Sequence, residues 1–239
     1  MLLTLCPNGD RATDAHPALS SDPETLAADS AAAVAAGAAE VHLHPKDAGG
    51  RDSLRAEDLS RWLRAFWSIC PQVPLGVTTG AWATGGAQER LSQVRRWREL
   101  PDLASLNWHE EGAEDLAALL IEREVGIEAG LWGVEAAQAW VRSPHAAACH
   151  RVLIELPDLP AEQVRDLAEE ILTVIDGSGH GLPVLLHGEE RSVWPGVLLA
   201  RELGLDTRIG LEDTLTLPDG TDAASNTELV LQCRALLGL

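Results

Sequence analysis

Two histidines with one leucine between them close a short apolar run in "VHLHPKD", residues 41–47. Residues two apart on a strand point to the same side, so His42 and His44 present both imidazoles to one face. Two neutral imidazoles make half of a zinc site, and a carboxylate as third ligand leaves one position open for chemistry. "RIGLEDT", residues 208–214, offers Glu212 and Asp213 at the end of another apolar run. One of the two carboxylates would bind a metal and the other would act as a base. Arg208 stands just upstream, and a nearby cation favours the ionised form of a carboxyl. Each feature also has a plain structural use: ordinary hydrogen-bonded histidines, an acidic pair capping a helix, a surface ion pair.

Other run ends carry groups suited to a substrate. Thr78, Thr79 and Gly80 in "TTG" bring two hydroxyls and a glycine amide that can hold a carboxylate, with a simple turn as the alternative. Asn107 and Glu128 close two further runs, either as substrate contacts or as turn residues. His187 and the following "GEER" can recruit an anion through Arg191, or only start a helix. Lys46 is the only lysine. A Schiff-base role needs a strand-end lysine of lowered pKa, and Lys46 sits beyond a proline in a loop. Trp62, Trp97 and Trp140 fall on helical stretches as packing residues; Trp82, Trp108 and Trp132 follow strand ends and can wall a pocket.

Groups so far apart in sequence need a frame that gathers strand ends. Apolar runs predict strands at Leu2–Cys6, Glu40–His44, Leu75–Thr79, Leu103–Asn107, Gly126–Ala129, Val152–Glu155, Val184–His187 and Arg208–Leu211. Between them, amphipathic stretches predict helices at Asp22–Ala36, Ala56–Ile69, Gln88–Arg98, Ala113–Glu122, Val134–Val141, Ala161–Ile175, Val193–Leu203 and Ser225–Leu237. Strict alternation implies a parallel sheet. Eight uninterrupted units predict an α/β (β/α)8 TIM barrel, one domain over residues 1–239, with a doubly wound sheet as the alternative. Barrel active sites lie at the C-terminal strand ends, where the residues above fall.

Hydrophobic residues make up 46% of the 239-residue chain, and no apolar run nears the ~18 residues of a membrane span. The opening "MLLTLCPNGD" lacks a basic region and a long apolar stretch, so no signal peptide is expected. A net charge of -19 argues against nucleic acid or an anionic membrane as partner. An anionic small substrate stays compatible with it through local arginines or a metal. Four scattered cysteines, Cys6, Cys70, Cys149 and Cys233, suit a reducing cytoplasm.

"GAAEVHLHPKD", "TTG", "SLNW" and "RIGLEDT", in this order on eight βα units, resemble the β-keto acid cleavage enzymes, represented by 3-keto-5-aminohexanoate cleavage enzyme. "SDPETLAADSAAAVAAGAAEVHLH" and "LARELGLDTRIGLEDT" through "SNTELV" carry the resemblance furthest, and it spans nearly the whole chain. It implies a zinc-dependent barrel, a homo-oligomer, that uses acetyl-CoA as co-substrate and converts a β-keto acid to acetoacetate and a new acyl-CoA. It also implies zinc ligands His42, His44 and Glu212, the base Asp213 assisted by Arg208, a substrate hydroxyl from Thr78, and Asn107 and Glu128 approaching the substrate. This chain is shorter than typical members, has Lys46 where the family usually has arginine, and lacks the second glycine after "TTG". The shortening keeps one alternative open, a hydrolase or carbon–carbon lyase that needs a metal but no CoA. A third class is a non-catalytic barrel that binds a metal or metabolite, against which the intact Arg208, Glu212 and Asp213 set counts.

Overall fold

The computed structural model describes residues 1–239. Eight strands alternate with eight helices: β1 (Leu3–Leu5), α1 (Pro23–Ala35), β2 (Glu40–Leu43), α2 (Ala56–Ile69), β3 (Leu75–Thr78), α3 (Ala87–Arg95), β4 (Leu103–Asn107) and α4 (Ala113–Glu122) form the first half. β5 (Gly126–Leu131), α5 (Val134–Arg142), β6 (Arg151–Leu156), α6 (Ala161–Ser178), β7 (Val184–Gly188), α7 (Val193–Leu203), β8 (Thr207–Ile209) and α8 (Asn226–Leu237) form the second. The strands are parallel and ordered β7-β6-β5-β4-β3-β2-β1-β8. Asp206, just ahead of β8, closes the ring onto β7: Leu186 N donates to its carbonyl (2.9 Å) and its own N–H donates to Val184 O (3.1 Å). The expected (β/α)8 barrel is therefore the fold. No helix is long and apolar enough to cross a membrane.

Local chemistry sets most element ends. Asp22 caps α1 by accepting from Thr25 N–H (2.9 Å), and Pro23 follows in the first turn, where its missing N–H costs nothing. Ser225 caps α8 through Glu228 N–H (3.2 Å). The spans expected for α2, α4, α7 and β4 coincide with those observed. Three ends differ for tertiary reasons. α3 stops at Arg95 instead of reaching Arg98, because Trp97 turns inward and donates its indole N–H to Leu54 O (2.8 Å). β8 ends at Ile209, and Gly210 opens a turn by accepting from Asp213 N–H (2.9 Å). β2 ends at Leu43, which leaves His44 just beyond the strand.

A cluster of 55 buried apolar residues holds the barrel and its helices together. Trp62, Trp97 and Trp140 belong to it, at 0–2% exposure, as packing residues. The lower lumen is polar. Arg151, the first residue of β6, reaches across to Glu40 Oε2 of β2 (2.5 Å) and to Glu128 Oε1 of β5 (2.6 Å). A buried ion cluster of this kind is favourable only when its hydrogen bonds are complete. Here Arg151 Nε also donates to Glu128 (2.8 Å), and Thr4 Oγ1 donates to Glu40 (3.2 Å).

Candidate active site

The C-terminal strand ends surround a cavity of about 340 Å³. His42 and His44 enter it from β2, Thr78 from β3, Ser105 and Asn107 from β4, Glu155 from β6, and Arg208 and Glu212 from β8 and its turn. Asp10, Arg11, Trp82, Trp132, Glu189 and Glu190 complete the wall from the loops. Thr79, Gly80 and Glu128, nominated as substrate contacts, are not part of it. Thr79 Oγ1 donates to Ser105 O (2.5 Å), Gly80 lies beneath the Trp82 ring, and Glu128 stands behind His42. Trp108 also stays outside the wall. Arg191 pairs on the surface with Asp158 (2.8 Å), away from His187.

His42, His44 and Glu212 bring one ligand atom each to within 4.8 Å of one another. The residue types fit zinc, and the His44–Glu212 pair has its spacing. With ligand bonds of about 2.0–2.2 Å, the ligand atoms of a tetrahedral site stand roughly 3.3–3.6 Å apart, and His44 Nε2 lies 3.5 Å from Glu212 Oε1. Glu212 Oε1 accepts from Arg208 (2.8 Å), while Oε2 is buried without a hydrogen-bond partner and is the oxygen free to take a ligand. Gly9 makes the close packing possible. It adopts φ +58°, and a Cβ there would stand 2.5 Å from Glu212 Cγ.

Each histidine has a carboxylate behind it. Asp52 Oδ2, in the loop after β2, accepts from His44 Nδ1 (2.9 Å) and from the Trp82 indole N–H (2.7 Å), while Oδ1 accepts from Lys46 Nζ (2.5 Å). Glu128 Oε2 faces His42 Nδ1 at 3.6 Å, and Arg151 anchors it from below. Such outer carboxylates fix the tautomer and ring orientation of metal-binding histidines. Asn8 ties the end of β2 down, accepting from His44 N–H (3.1 Å) and donating to His44 O (2.8 Å). Lys46 is 2% exposed and also donates to Gly9 O (2.5 Å), so its amine is committed beneath the site rather than free in the cavity.

Charged neighbours set the ionisation of the triad and of the carboxylates behind it. Burial opposes ionisation of Glu212, but Arg208 and His44 hold its carboxyl well below the usual range. Burial likewise opposes charge on His44, and Glu212 and Asp52 overcome it, raising the imidazole to about 9. For Asp52 burial is outweighed by His44 and Lys46, and for Glu128 by His42 and Arg151; both carboxyls fall to about 2. Arg208 joins two acids: its NH2 donates to Glu212 Oε1 (2.8 Å), and its Nε donates to Asp213 Oδ1 (3.1 Å). Asp213 lies behind Arg208, its side chain fully buried, with Oδ2 unpartnered. His187 sits between Asp213 Oδ1 (3.5 Å) and Glu155 Oε2 (3.6 Å), and neither ring nitrogen completes a hydrogen bond. On the far wall, burial pushes Glu189 up to about 7.

Sequence reasoning did not nominate Asp52, Asn8, Arg151, Glu155 or Glu189 as site residues. Glu155 and Glu189 were visible in the polar strand ends "IELPD" and "LLHGEERS". For Asp52 the available signal was the general need of a metal-binding histidine for an outer carboxylate.

A model of the beta-keto acid cleavage enzyme family matches residues 1–129 and 149–238. A 3-keto-5-aminohexanoate cleavage enzyme of Fusobacterium nucleatum subsp. nucleatum is 23% identical over 96% of this chain and 88% of its own. Among solved structures, ObcA in a binary complex with oxaloacetate superposes with a TM-score of 0.72 at 19% identity, covering 92% of this chain. This chain spans 63% of the length of that ObcA chain. ObcA in a ternary complex with a C4-CoA adduct and oxalate gives a TM-score of 0.70 at 18% identity, over 93% of this chain and 68% of that one. These two likenesses speak for the fold. The family match runs from before the paired histidines to beyond the Glu212–Asp213 turn, and on it the chain belongs to the beta-keto acid cleavage enzyme family.

Proposed function

We propose that the protein is a zinc-dependent acyltransferase that cleaves a β-keto acid with acetyl-CoA, giving acetoacetate and a new acyl-CoA. The convergence of His42, His44 and Glu212 at the cavity, with Arg208 joining Glu212 to Asp213, carries this reading. His42, His44 and Glu212 would hold the zinc, which when bound would supply Lewis acidity for enolate formation.

The chain's own residues do the rest. Thr78 and Asn107 line the cavity and orient the keto acid. Asp213 takes the α-proton. Its unpartnered Oδ2 is the accepting atom. Arg208 positions Asp213 through the hydrogen bond from its Nε to Oδ1 (3.1 Å). The enolate carbon then bonds to the thioester carbonyl and CoA thiolate leaves. The thiolate adds to the original keto carbon, the carbon–carbon bond breaks, and the proton returns to the acetoacetate fragment. Thr79, Gly80 and Glu128 serve from outside the wall: Thr79 and Gly80 shape the β3 end, and Glu128 places its charge behind His42.

Two further parts of the reading have their own support. All four cysteines are free and buried, as in a cytoplasmic protein. Leu198 and Leu203 on α7 and Leu231 on α8 are 39–52% exposed on neighbouring helices, an apolar face suited to a homo-oligomer. The test is turnover of a panel of β-keto acids with acetyl-CoA, alongside elemental analysis of wild type and Glu212→Ala. About one zinc per chain in the wild type, lost with activity in the variant, is the expected result. Keto-acid turnover without any thioester would replace the acyltransferase by a lyase or hydrolase, and a wild type that takes up no zinc would remove the mechanism.

A further inference from the structure

A second feature of the surface lies outside the catalytic cavity. α2 packs on α1 and α3 packs on α4, and between α2 and α3 runs an open groove of about 1230 Å³. Five arginines line it: Arg55 at the start of α2, Arg61 and Arg64 along α2, and Arg96 and Arg98 at the end of α3. The chain has 18 basic residues against 37 acidic ones, so this gathering stands out from its background. Glu24, Glu57 and Glu89 also line the groove and leave the arginines in excess. Elsewhere on the surface, Arg165 and Arg191 pair with carboxylates, and Arg123, Arg201 and Arg234 donate to backbone carbonyls. In the groove only Arg64 pairs with a carboxylate, that of Glu99 (2.8 Å); Arg61 donates to a backbone carbonyl, Lys46 O (2.8 Å), and Arg55, Arg96 and Arg98 form no ion pair. Unpaired guanidinium groups converging on one groove suit phosphate, which they bind through forked, charge-assisted hydrogen bonds.

The groove connects to the active site. A cleft of about 620 Å³ between the β2–α2 and β3–α3 loops shares Asp10, Arg11 and Trp82 with the catalytic cavity. At its other end it shares Arg55, Glu89 and Gln93 with the groove. A continuous path thus leads from the His42–His44–Glu212 centre, over the Asp52–Trp82 rim, to the arginines. A β-keto acid alone needs only the small inner cavity. A ligand that fills the whole path has a reactive end, a long flexible arm and a multiply anionic far end, which is the build of a CoA thioester. We propose that the groove between α2 and α3 binds the phosphate-bearing end of a CoA-type thioester and that the cleft carries its arm to the catalytic cavity. This rests on the acyltransferase reading above and locates its second substrate.

The test uses a probe that cannot react. Adenosine 3′,5′-bisphosphate carries phosphates of the CoA far end without the thioester, and its binding to the intact protein is measured by titration calorimetry. Wild type is expected to bind it, more weakly as salt rises, because exposed charges are screened. Arg55→Glu/Arg96→Glu is expected to weaken binding by at least about tenfold, while Arg142→Glu, the same change of charge on α5 outside the groove, leaves it intact. Equal binding in wild type and the double variant, no binding to wild type, or a double variant that changes oligomeric mass instead of affinity would overturn the proposal. Kinetics add a second reading. Wild type should prefer acetyl-CoA to S-acetylpantetheine, which lacks these phosphates, and the double variant should lose that preference; an unchanged preference overturns the proposal as well. Absence of any thioester-dependent turnover would count against the acyltransferase reading, while bisphosphate binding would still report on the groove.

Discussion

Asp52 is the sharpest probe of the proposed metal centre, because it touches His44 but is not itself in the ligand set. Asp52→Ala removes the acceptor that holds His44 Nδ1 at 2.9 Å and frees the imidazole to rotate or change tautomer. Losing an outer-shell carboxylate costs about 10–100-fold in metal affinity, or about 1.4–2.7 kcal/mol. That matches the ~1.5–3 kcal/mol of a hydrogen bond to a charged group. Asp52→Asn keeps an acceptor and loses the charge, so its loss should fall between wild type and Asp52→Ala. Both substitutions also strip Lys46, 2% exposed, of its counter-charge, and an orphaned buried charge costs about 3–5 kcal/mol of stability. Lys46→Met separates the two effects. It breaks the Lys46–Asp52 pair while leaving the Asp52–His44 bond, so zinc affinity should stay within about threefold of wild type. Affinity is read by competition with a chromogenic chelator near neutral pH, and stability by urea unfolding of the metal-free chain. If Asp52→Ala binds zinc within twofold of wild type, His44 is not a ligand that Asp52 orients, and the reasoning fails.

Three further outcomes can be checked directly. Arg151→Met removes the cation that Glu40 and Glu128 share in the lumen, so it should cost about 3–5 kcal/mol and lower Tm by roughly 6–20 °C; the loss should shrink at low pH as Glu128, whose carboxyl His42 and Arg151 hold at about 2 against burial, protonates, and a loss below about 1 kcal/mol would refute the lumen account. Burial holds Glu189 up at about 7, beside Glu155, Asp213, His187 and Arg208. Its favourable contribution is therefore full below the usual carboxyl range and disappears as pH rises through about 7. Discounted for partial exposure, Glu189→Gln should stabilise the protein by about 1–2 kcal/mol at pH near 8 and leave it unchanged near pH 4; a pH-independent difference between the two melting curves would contradict this. Leu198→Glu/Leu231→Lys should reduce the molecular mass measured by light scattering, and an unchanged mass would exclude the α7–α8 face as the oligomer contact.

The barrel was legible because its signals are local and repeated. Short buried runs, each followed by an amphipathic stretch, appear eight times, and Asp22 with Pro23 and Ser225 mark helix starts by their own chemistry. The errors fall where a tertiary contact decides an end. Nothing in "RRWREL" shows that Trp97 will leave the helix to reach Leu54. The period of two that pointed His42 and His44 to one side also held, although His44 lies past the last ladder residue. Asn8 extends the ladder geometry by pairing with its backbone from the neighbouring loop.

The site was legible in its inner half and opaque in its outer half, and the physics of the two halves differs. Paired histidines and an adjacent Glu-Asp are dense signals, because all the information sits within one strand end. The residues behind them are chosen by a sum over the whole ring. Glu128 belongs to His42 only because Arg151, 23 residues further on, pins its carboxylate from β6 and ties the same guanidinium to Glu40 across the lumen. At a run's end, Glu128 reads as a substrate contact; with the ring closed, it stands behind His42 with its charge already answered. Glu155 is the reverse case. It has the same residue type but stands close to the C-terminal end of β6, whereas Glu128 pairs in register with the first residue of β6. Glu155 forms no ion pair with an arginine and opens onto the cavity beside His187. Which glutamate stands behind His42 and which lines the cavity follows from its height on the strand and from where Arg151 reaches, neither of which spacing along the chain encodes.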